Sequence, residues 1–66
     1  MHVAVNGEPR EIPDGATVRA LIESLGLARA ACAAEVNRAL VARRDHDSYQ
    51  LREGDIIELV TLVGGG

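Results

Sequence analysis

The sequence predicts an α+β fold in which one helix packs on one mixed β-sheet. The chain has 66 residues, which is the length of a single small domain. One segment places apolar residues at helical spacing, and several shorter segments alternate or concentrate them as strands do. Their order along the chain is strand, strand, helix, strand, short strand and final strand. We therefore expect two layers, with the helix lying across one face of the sheet.

The N-terminal segment predicts a β-hairpin. Apolar residues alternate over 2–5, and Asn6-Gly7 is a strong turn signal. The returning strand, over 9–12, begins with a proline, which lacks a backbone N–H and favours a sheet edge or a bulge. A two-residue turn would pair Val5 with Glu8, which fits a single buried face poorly. We therefore expect a longer, bulged turn.

The clearest element is a two-turn helix. Thr17 is a good N-cap, and Gly26 provides the C-terminal stop. Between them, four apolar residues form one stripe at helical spacing: Val18, Leu21, Ile22 and Leu25. A short helix with one apolar stripe must bury that stripe against the sheet.

The second half of the chain predicts three more strands. Residues 33–36 form a strand, Asn37-Arg38 a tight turn and residues 39–41 a short returning strand. Residues 43–50 are polar and irregular, with room for one helical turn. The strongest strand covers residues 56–63.

The final strand predicts an exposed apolar patch. Ile57 and Leu59 share one face, whereas Glu58, Val60 and Leu62 share the other. The face that carries Glu58 should be the wet one, so Val60 and Leu62 would form an exposed patch that suits a partner protein. The alternative is that loop 43–50 folds over these two side chains.

The chain then ends Val63-Gly64-Gly65-Gly66. Three extended glycines would carry a terminal carboxylate roughly 10 Å beyond Val63. An arm without side chains can enter a narrow active site, so we expect a functional tail whose reactive group is the carboxylate of Gly66. The alternative is an ordinary frayed terminus.

Composition narrows the classes of function. The net charge is −3, the arginines are scattered and Tyr49 is the only aromatic residue, which argues against nucleic-acid binding. The single cysteine excludes an internal disulfide and suggests a reducing compartment. The sequence has neither a signal-peptide pattern nor an apolar run of membrane length. We expect a cytoplasmic protein that does not associate with membranes.

The interior of the sequence does not predict an enzyme. Asp45-His46-Asp47-Ser48 has the residue types of a hydrolytic triad, but consecutive residues project in different directions, and a solvated loop is the simpler interpretation. His2, His46 and Cys32 lack metal-ligand spacing. Cys32 is best explained as a small buried apolar residue, because no basic cluster lies near it in sequence to activate it as a sulfur relay.

The carboxylate of Gly66 would need activation from outside. A carboxylate becomes a good acyl donor when its oxygen attacks the α-phosphate of ATP and forms an acyl-adenylate. That reaction requires an enzyme that holds ATP and Mg²⁺. We expect no bound cofactor in this chain and a separate activating enzyme.

Over its whole length the sequence resembles the ThiS family, the ubiquitin-like sulfur carriers of thiamine biosynthesis. The matching features, in chain order, are Asn6-Gly7, Thr17-Val18 with Leu21-Ile22, Glu35-Val36-Asn37, Val41 with Arg43, Leu51, Gly54-Asp55, Ile57-Glu58 and Val63-Gly64-Gly65-Gly66. Two departures lie in the mid-chain turn: Arg38, where the family often has Gly, and Ala42, where Pro is common.

The resemblance implies a single β-grasp domain over 1–66, with the first and last strands side by side in parallel and a flexible tail over 64–66. It implies that a ubiquitin-activating-type adenylyltransferase adenylates Gly66 and that a persulfide donor converts the terminus to a thiocarboxylate. Thiazole synthase would then take the sulfur. By position, Gly64 and Gly65 would thread the partner sites, and three apolar residues would contact the partners: Val60, Leu62 and Val63.

Three alternatives remain open from the sequence. The small subunit of molybdopterin synthase has a similar design and also ends in Gly-Gly, although it is typically longer. A protein modifier would form isopeptide bonds to target lysines. A β-grasp interaction domain would have no carrier chemistry, and residues added after Gly66 would then be harmless.

Overall fold

The computed structural model describes residues 1–62 and confirms one helix on one five-stranded sheet. The elements are β1 (His2–Val5), β2 (Glu8–Glu11), α1 (Val18–Ser24), β3 (Cys32–Val36), β4 (Ala39–Val41), a 3-10 turn (Arg43–Asp45) and β5 (Ile56–Thr61). The strand order is β2-β1-β5-β3-β4. Strand β5 is parallel to β1 and antiparallel to β3, which is the β-grasp arrangement. The last strand therefore lies in the middle of the sheet.

The first hairpin has a tight turn, and the expectation of a longer, bulged turn is wrong. Val5 pairs directly with Glu8, and the two turn residues Asn6 and Gly7 have φ values of 51° and 82°. Positive φ at both positions is the geometry of a two-residue hairpin turn. All of β2 is exposed at the sheet edge, so Glu8 can share a face with buried Val5 without entering the core. Pro9 lies in this edge strand, as predicted.

Helix α1 begins and ends as the sequence predicts. The hydroxyl of Thr17 accepts a hydrogen bond of 3.1 Å from the Ala20 N–H. At the other end, Gly26 has φ of 76°, and its N–H donates to the Glu23 carbonyl. The Leu27 N–H donates to the Ile22 carbonyl, which completes a Schellman cap. The helix is thus limited to two turns that lie across the sheet.

The core lies between α1 and one face of the sheet. Its buried residues come from the helix, from β1, from β3 to β5 and from two connecting segments, which contribute Ile12 and Leu51. The full set is Val3, Val5, Ile12, Val18, Leu21, Ile22, Cys32, Ala34, Val36, Val41, Leu51, Ile57 and Leu59. Aliphatic side chains fill this interior, because the chain's one aromatic residue, Tyr49, is exposed. Within residues 1–62, no helix is long and apolar enough to cross a membrane.

The second hairpin repeats the geometry of the first. Val36 pairs with Ala39 across Asn37 and Arg38, whose φ values are 52° and 70°. Arg38 therefore occupies a left-handed position that glycine adopts without strain. The predicted tight turn is confirmed.

Strand β5 ends at Thr61, two residues earlier than the sequence pattern suggests. Leu62 follows it, and its N–H still donates to the Ala31 carbonyl at 2.7 Å. Val63, together with residues 64–66, lies outside the described residues.

Candidate functional site

The two faces of β5 differ as the sequence predicts. Ile57 and Leu59 are buried against the helix layer. Val60 and Leu62 point away from it and are 57% and 61% exposed. These two side chains form an exposed apolar patch, which we call the β5 patch and which includes the last described residue, Leu62.

Loop 43–50 does not cover the β5 patch. It packs at the start of α1, where the carbonyls of His46 and Tyr49 accept hydrogen bonds from the N–H groups of Arg19 and Val18. The Leu51 N–H donates to the Ala16 carbonyl and fixes the end of the loop there. Two N–H groups in the first turn of α1, which have no acceptor within the helix, thus gain partners from the loop. The alternative in which this loop folds over Val60 and Leu62 is wrong.

Two carboxylates face each other on the same outer side of the sheet. The register of β3 and β5 places Glu35 directly opposite Glu58, next to the pair formed by Ala33 and Val60. Both glutamates are exposed, and like charges in directly opposed positions destabilise a sheet. The sequence identified Glu58 as a marker of the wet face, but the opposition to Glu35 depends on strand register. This outer face combines an acidic centre with the apolar β5 patch.

Asparagine side chains hold β5 from both neighbouring turns. The carboxamide of Asn6 bonds the main chain of Leu59, accepting from its N–H at 2.8 Å and donating to its carbonyl at 3.3 Å. The carboxamide of Asn37 accepts from the Ile56 N–H at 3.0 Å. Sequence reasoning treated both asparagines only as turn formers.

Two further candidate side chains, Cys32 and His46, lie on the helix side of the sheet, whereas His2 is exposed. Cys32 is buried, as predicted, whereas His46 is also buried and corrects the expectation of a wholly solvated loop. The His46 Nε2 lies 3.1 Å from the Val41 carbonyl oxygen, which can only accept, so Nε2 donates. Cys32 and His46 line a cavity of about 60 Å³ with Arg19 and Arg43, two cations that are distant from Cys32 in sequence.

These side chains form neither a triad nor a metal cluster within residues 1–62. Asp45, Asp47 and Ser48 are exposed, whereas His46 points inward to Val41. The described residues contain no group of three or more His, Cys, Asp or Glu side chains placed to hold a metal ion. The cavity beside Cys32 has room for a few water molecules only.

The predicted reactive site is the C-terminal tail. Residues Gly64, Gly65 and Gly66, as well as Val63, lie outside the described residues, so their roles stay predictions. The last described residue before the tail is Leu62, which is a member of the β5 patch.

The curated relatives of this chain include a sulfur carrier protein and two thiazole synthases. The chain is 33% identical to the sulfur carrier protein ThiS of Thermus thermophilus, over 97% of this chain and 98% of that protein. It is 39% identical over its whole length to a thiazole synthase of Magnetococcus marinus, and 33% identical to one of Paramagnetospirillum magneticum. The chain spans 20% of the length of each of these two synthases.

Structural comparison and a family model agree with the similarity to the sulfur carrier protein ThiS. The crystal structure of the thiamine biosynthesis protein ThiS from Geobacter metallireducens matches with a TM-score of 0.83 and 29% identity, and the match covers all of both chains. A model of the ThiS family matches residues 3–66, which include the strand ladder, the β5 patch and the glycine tail. The chain therefore belongs to the ThiS family.

Proposed function

We propose that this chain is a sulfur carrier of thiamine biosynthesis, and that it acts as a co-substrate of other enzymes rather than as a catalyst. The observation that carries the proposal is the ThiS family match over residues 3–66, which extends through Gly66. The similarity to a sulfur carrier protein ThiS over nearly the full length of both chains supports it. We expect the carrier to work in the cytoplasm, where its single cysteine stays reduced.

The proposed cycle uses the carboxylate of Gly66 as its reactive group. A ubiquitin-activating-type adenylyltransferase would bind ATP and Mg²⁺, and the carboxylate would attack the α-phosphate and displace pyrophosphate. The terminal sulfur of a persulfide donor would then attack the acyl carbon and displace AMP, which gives an acyl disulfide between the donor and Gly66. A thiol would attack the donor-side sulfur of that disulfide, so that the thiocarboxylate leaves and the donor and the thiol remain joined as a disulfide. Gly64 and Gly65 would form the narrow arm inside each partner, while Val60, Leu62 and Val63 would contact its surface.

Thiazole synthase is the proposed acceptor of the sulfur. Two relatives named thiazole synthase contain a region similar to the whole of this chain. A carrier region joined to a synthase has a high effective concentration at that enzyme, which is expected when the two act in successive steps. This similarity favours the thiamine role over the molybdopterin role.

The first test is adenylation. The chain should support ATP–pyrophosphate exchange by an activating enzyme of this type. Deletion of Gly66, or addition of one residue after it, should abolish the exchange. No exchange with the wild-type chain would support an interaction domain without carrier chemistry. Undiminished exchange with the extended chain would contradict the proposal that activation requires Gly66 as the terminal residue.

The second test is the choice of acceptor. Loaded carrier is offered separately to thiazole synthase and to the large subunit of molybdopterin synthase. Sulfur transfer to thiazole synthase alone is the expected result. Transfer only to the molybdopterin enzyme would overturn the assignment to thiamine biosynthesis.

A further inference from the structure

Strand β1 ends while its neighbour β5 continues toward the tail. The Ala4 N–H donates to the Asp55 carbonyl at 3.0 Å, and the Asn6 N–H donates to the Ile57 carbonyl at 2.9 Å. These are successive rungs of the parallel ladder. At Asn6 the chain turns away into the hairpin, but β5 runs on to Thr61. Beyond Ile57, the β1 side of β5 has therefore lost its main-chain neighbour.

The Asn6 side chain takes the place of that neighbour at Leu59. Its Oδ1 accepts from the Leu59 N–H at 2.8 Å, and its Nδ2 donates to the Leu59 carbonyl at 3.3 Å. One carboxamide thus supplies the donor and the acceptor that a continuing strand would have offered. On the β3 side, the last bond is the one from the Leu62 N–H to the Ala31 carbonyl at 2.7 Å. These two attachments are the last ones described before the tail.

Asn37 provides an internal comparison. It too is the first residue of a two-residue turn, with φ of 52° against 51° for Asn6. Its Oδ1 accepts from the Ile56 N–H at 3.0 Å, so its carboxamide holds the beginning of β5. Each asparagine side chain therefore accepts a hydrogen bond from a main-chain N–H of β5, Asn37 near the beginning of the strand and Asn6 nearer its end.

We propose that Asn6 is a positioning residue for the sulfur-carrying tail, an inference that rests on the proposed carrier function. By holding Leu59, its carboxamide fixes the direction in which β5 leaves the sheet and the orientation of Val60 and Leu62. A partner then meets a preformed strand end. Without this attachment, the strand end is held on the β3 side alone, where Val60 pairs with Ala33 and Thr61 with Cys32. The partner must then restrict the remaining motion as it binds, which weakens binding without altering the chemistry at Gly66.

The turn geometry allows a clean test. Glycine adopts positive φ without strain, so Asn6→Gly keeps the turn and removes both bonds to Leu59. Asn37→Gly keeps the other turn and removes the bonds of Asn37 to the Ile56 N–H and to the Asp55 carboxylate, so it is the matched control. Asn6→Asp keeps an acceptor for the Leu59 N–H but loses the donor to its carbonyl, and it should give an intermediate effect.

The structural measurement is amide exchange and backbone ¹⁵N relaxation of the whole chain. In Asn6→Gly, the Leu59 amide should exchange at least about tenfold faster, because its hydrogen bond is gone, and order parameters at Thr61 and Leu62 should fall. In Asn37→Gly, the Ile56 amide should exchange faster while Thr61 and Leu62 keep their order. Unchanged order at Thr61 and Leu62 in Asn6→Gly would overturn the proposal.

The functional measurement is the steady-state kinetics of the activating enzyme, with the carrier as the substrate whose concentration is varied. Asn6→Gly should raise KM about fivefold, the factor expected for ordering a short segment on docking, with kcat within about twofold. Asn37→Gly should leave both constants within about twofold. Equal increases in KM for the two variants would indicate a general loss of stability and refute a positioning role. If the wild-type chain is not adenylated, the carrier function fails, whereas the relaxation data still decide whether Asn6 orders the strand end.

Discussion

Replacing Val60 with threonine should weaken docking of the carrier on its activating enzyme while leaving the fold intact. Val60 is 57% exposed, and full burial of a valine side chain contributes about 1.5–3 kcal/mol. Covering the exposed part would thus contribute about 1–1.7 kcal/mol. Threonine keeps the β-branched shape but loses one methyl group, and a hydroxyl buried without a partner costs about 1–3 kcal/mol. The combined loss should be at least about 1.5 kcal/mol, which is about tenfold in affinity.

The assay is a binding titration against the activating enzyme, with urea unfolding measured in parallel. Ile56→Thr is the matched control, because Ile56 is 56% exposed on the same face at the start of β5. Four residues of extended strand place it about 13 Å from Val60. We expect Val60→Thr to bind about tenfold more weakly, Ile56→Thr to bind within about twofold of wild type, and both to unfold within about 0.5 kcal/mol of it. Equal weakening by both variants, or none by Val60→Thr, would refute the assignment of the β5 patch.

Three further predictions concern stability and are checked by urea unfolding. Arg38→Gly should stabilise the chain by about 0.5–1 kcal/mol, because relief of the left-handed strain exceeds the added entropy of glycine in the unfolded state; a loss of stability would contradict this. Ala42 has φ of −58° and ψ of 144°, which suit proline, so Ala42→Pro should add about 0.4–1 kcal/mol, and an unfolding midpoint below wild type would count against it. Thr17→Ala removes the cap to the Ala20 N–H and should cost about 1 kcal/mol, whereas Thr17→Ser should restore most of it.

The sequence predicts α1 almost completely because its signals are local. The cap at Thr17, the apolar stripe and the stop at Gly26 each depend on neighbours within one or two turns, and the structure reproduces all three. The alternation along β5 is equally local, which is why the exposure of Val60 and Leu62 could be predicted.

Features that depend on the pairing of strands distant in sequence could not be predicted from local sequence patterns. The longer turn expected after Val5 assumed that β2 has a buried face, but β2 is an edge strand whose four residues are all exposed. The opposition of Glu35 and Glu58 follows from the register of β3 against β5, across more than twenty residues of intervening chain. The bonds from Asn6 to Leu59 join residues separated by 53 positions.

The burial of His46 could not be predicted from the residue types of its loop. Its neighbours Asp45, Asp47 and Ser48 are polar and exposed, which made a solvated loop the simplest prediction. The 3-10 turn at Arg43–Asp45 directs the ring inward, where Nε2 donates to the Val41 carbonyl. A buried histidine satisfied by main chain in this way belongs to the packing of the loop, and the proposed carrier function does not require it.

The proposal that Gly66 carries sulfur is tested by intact-mass spectrometry of the chain after incubation with the activating enzyme, ATP, Mg²⁺, a persulfide donor and a thiol reductant. We expect a mass increase equal to replacement of one oxygen atom by sulfur. The increase should depend on ATP and should be lost when Gly66 is deleted. An unchanged mass, in a reaction where ATP turnover stimulated by the chain is demonstrated, would contradict the claim that Gly66 carries sulfur.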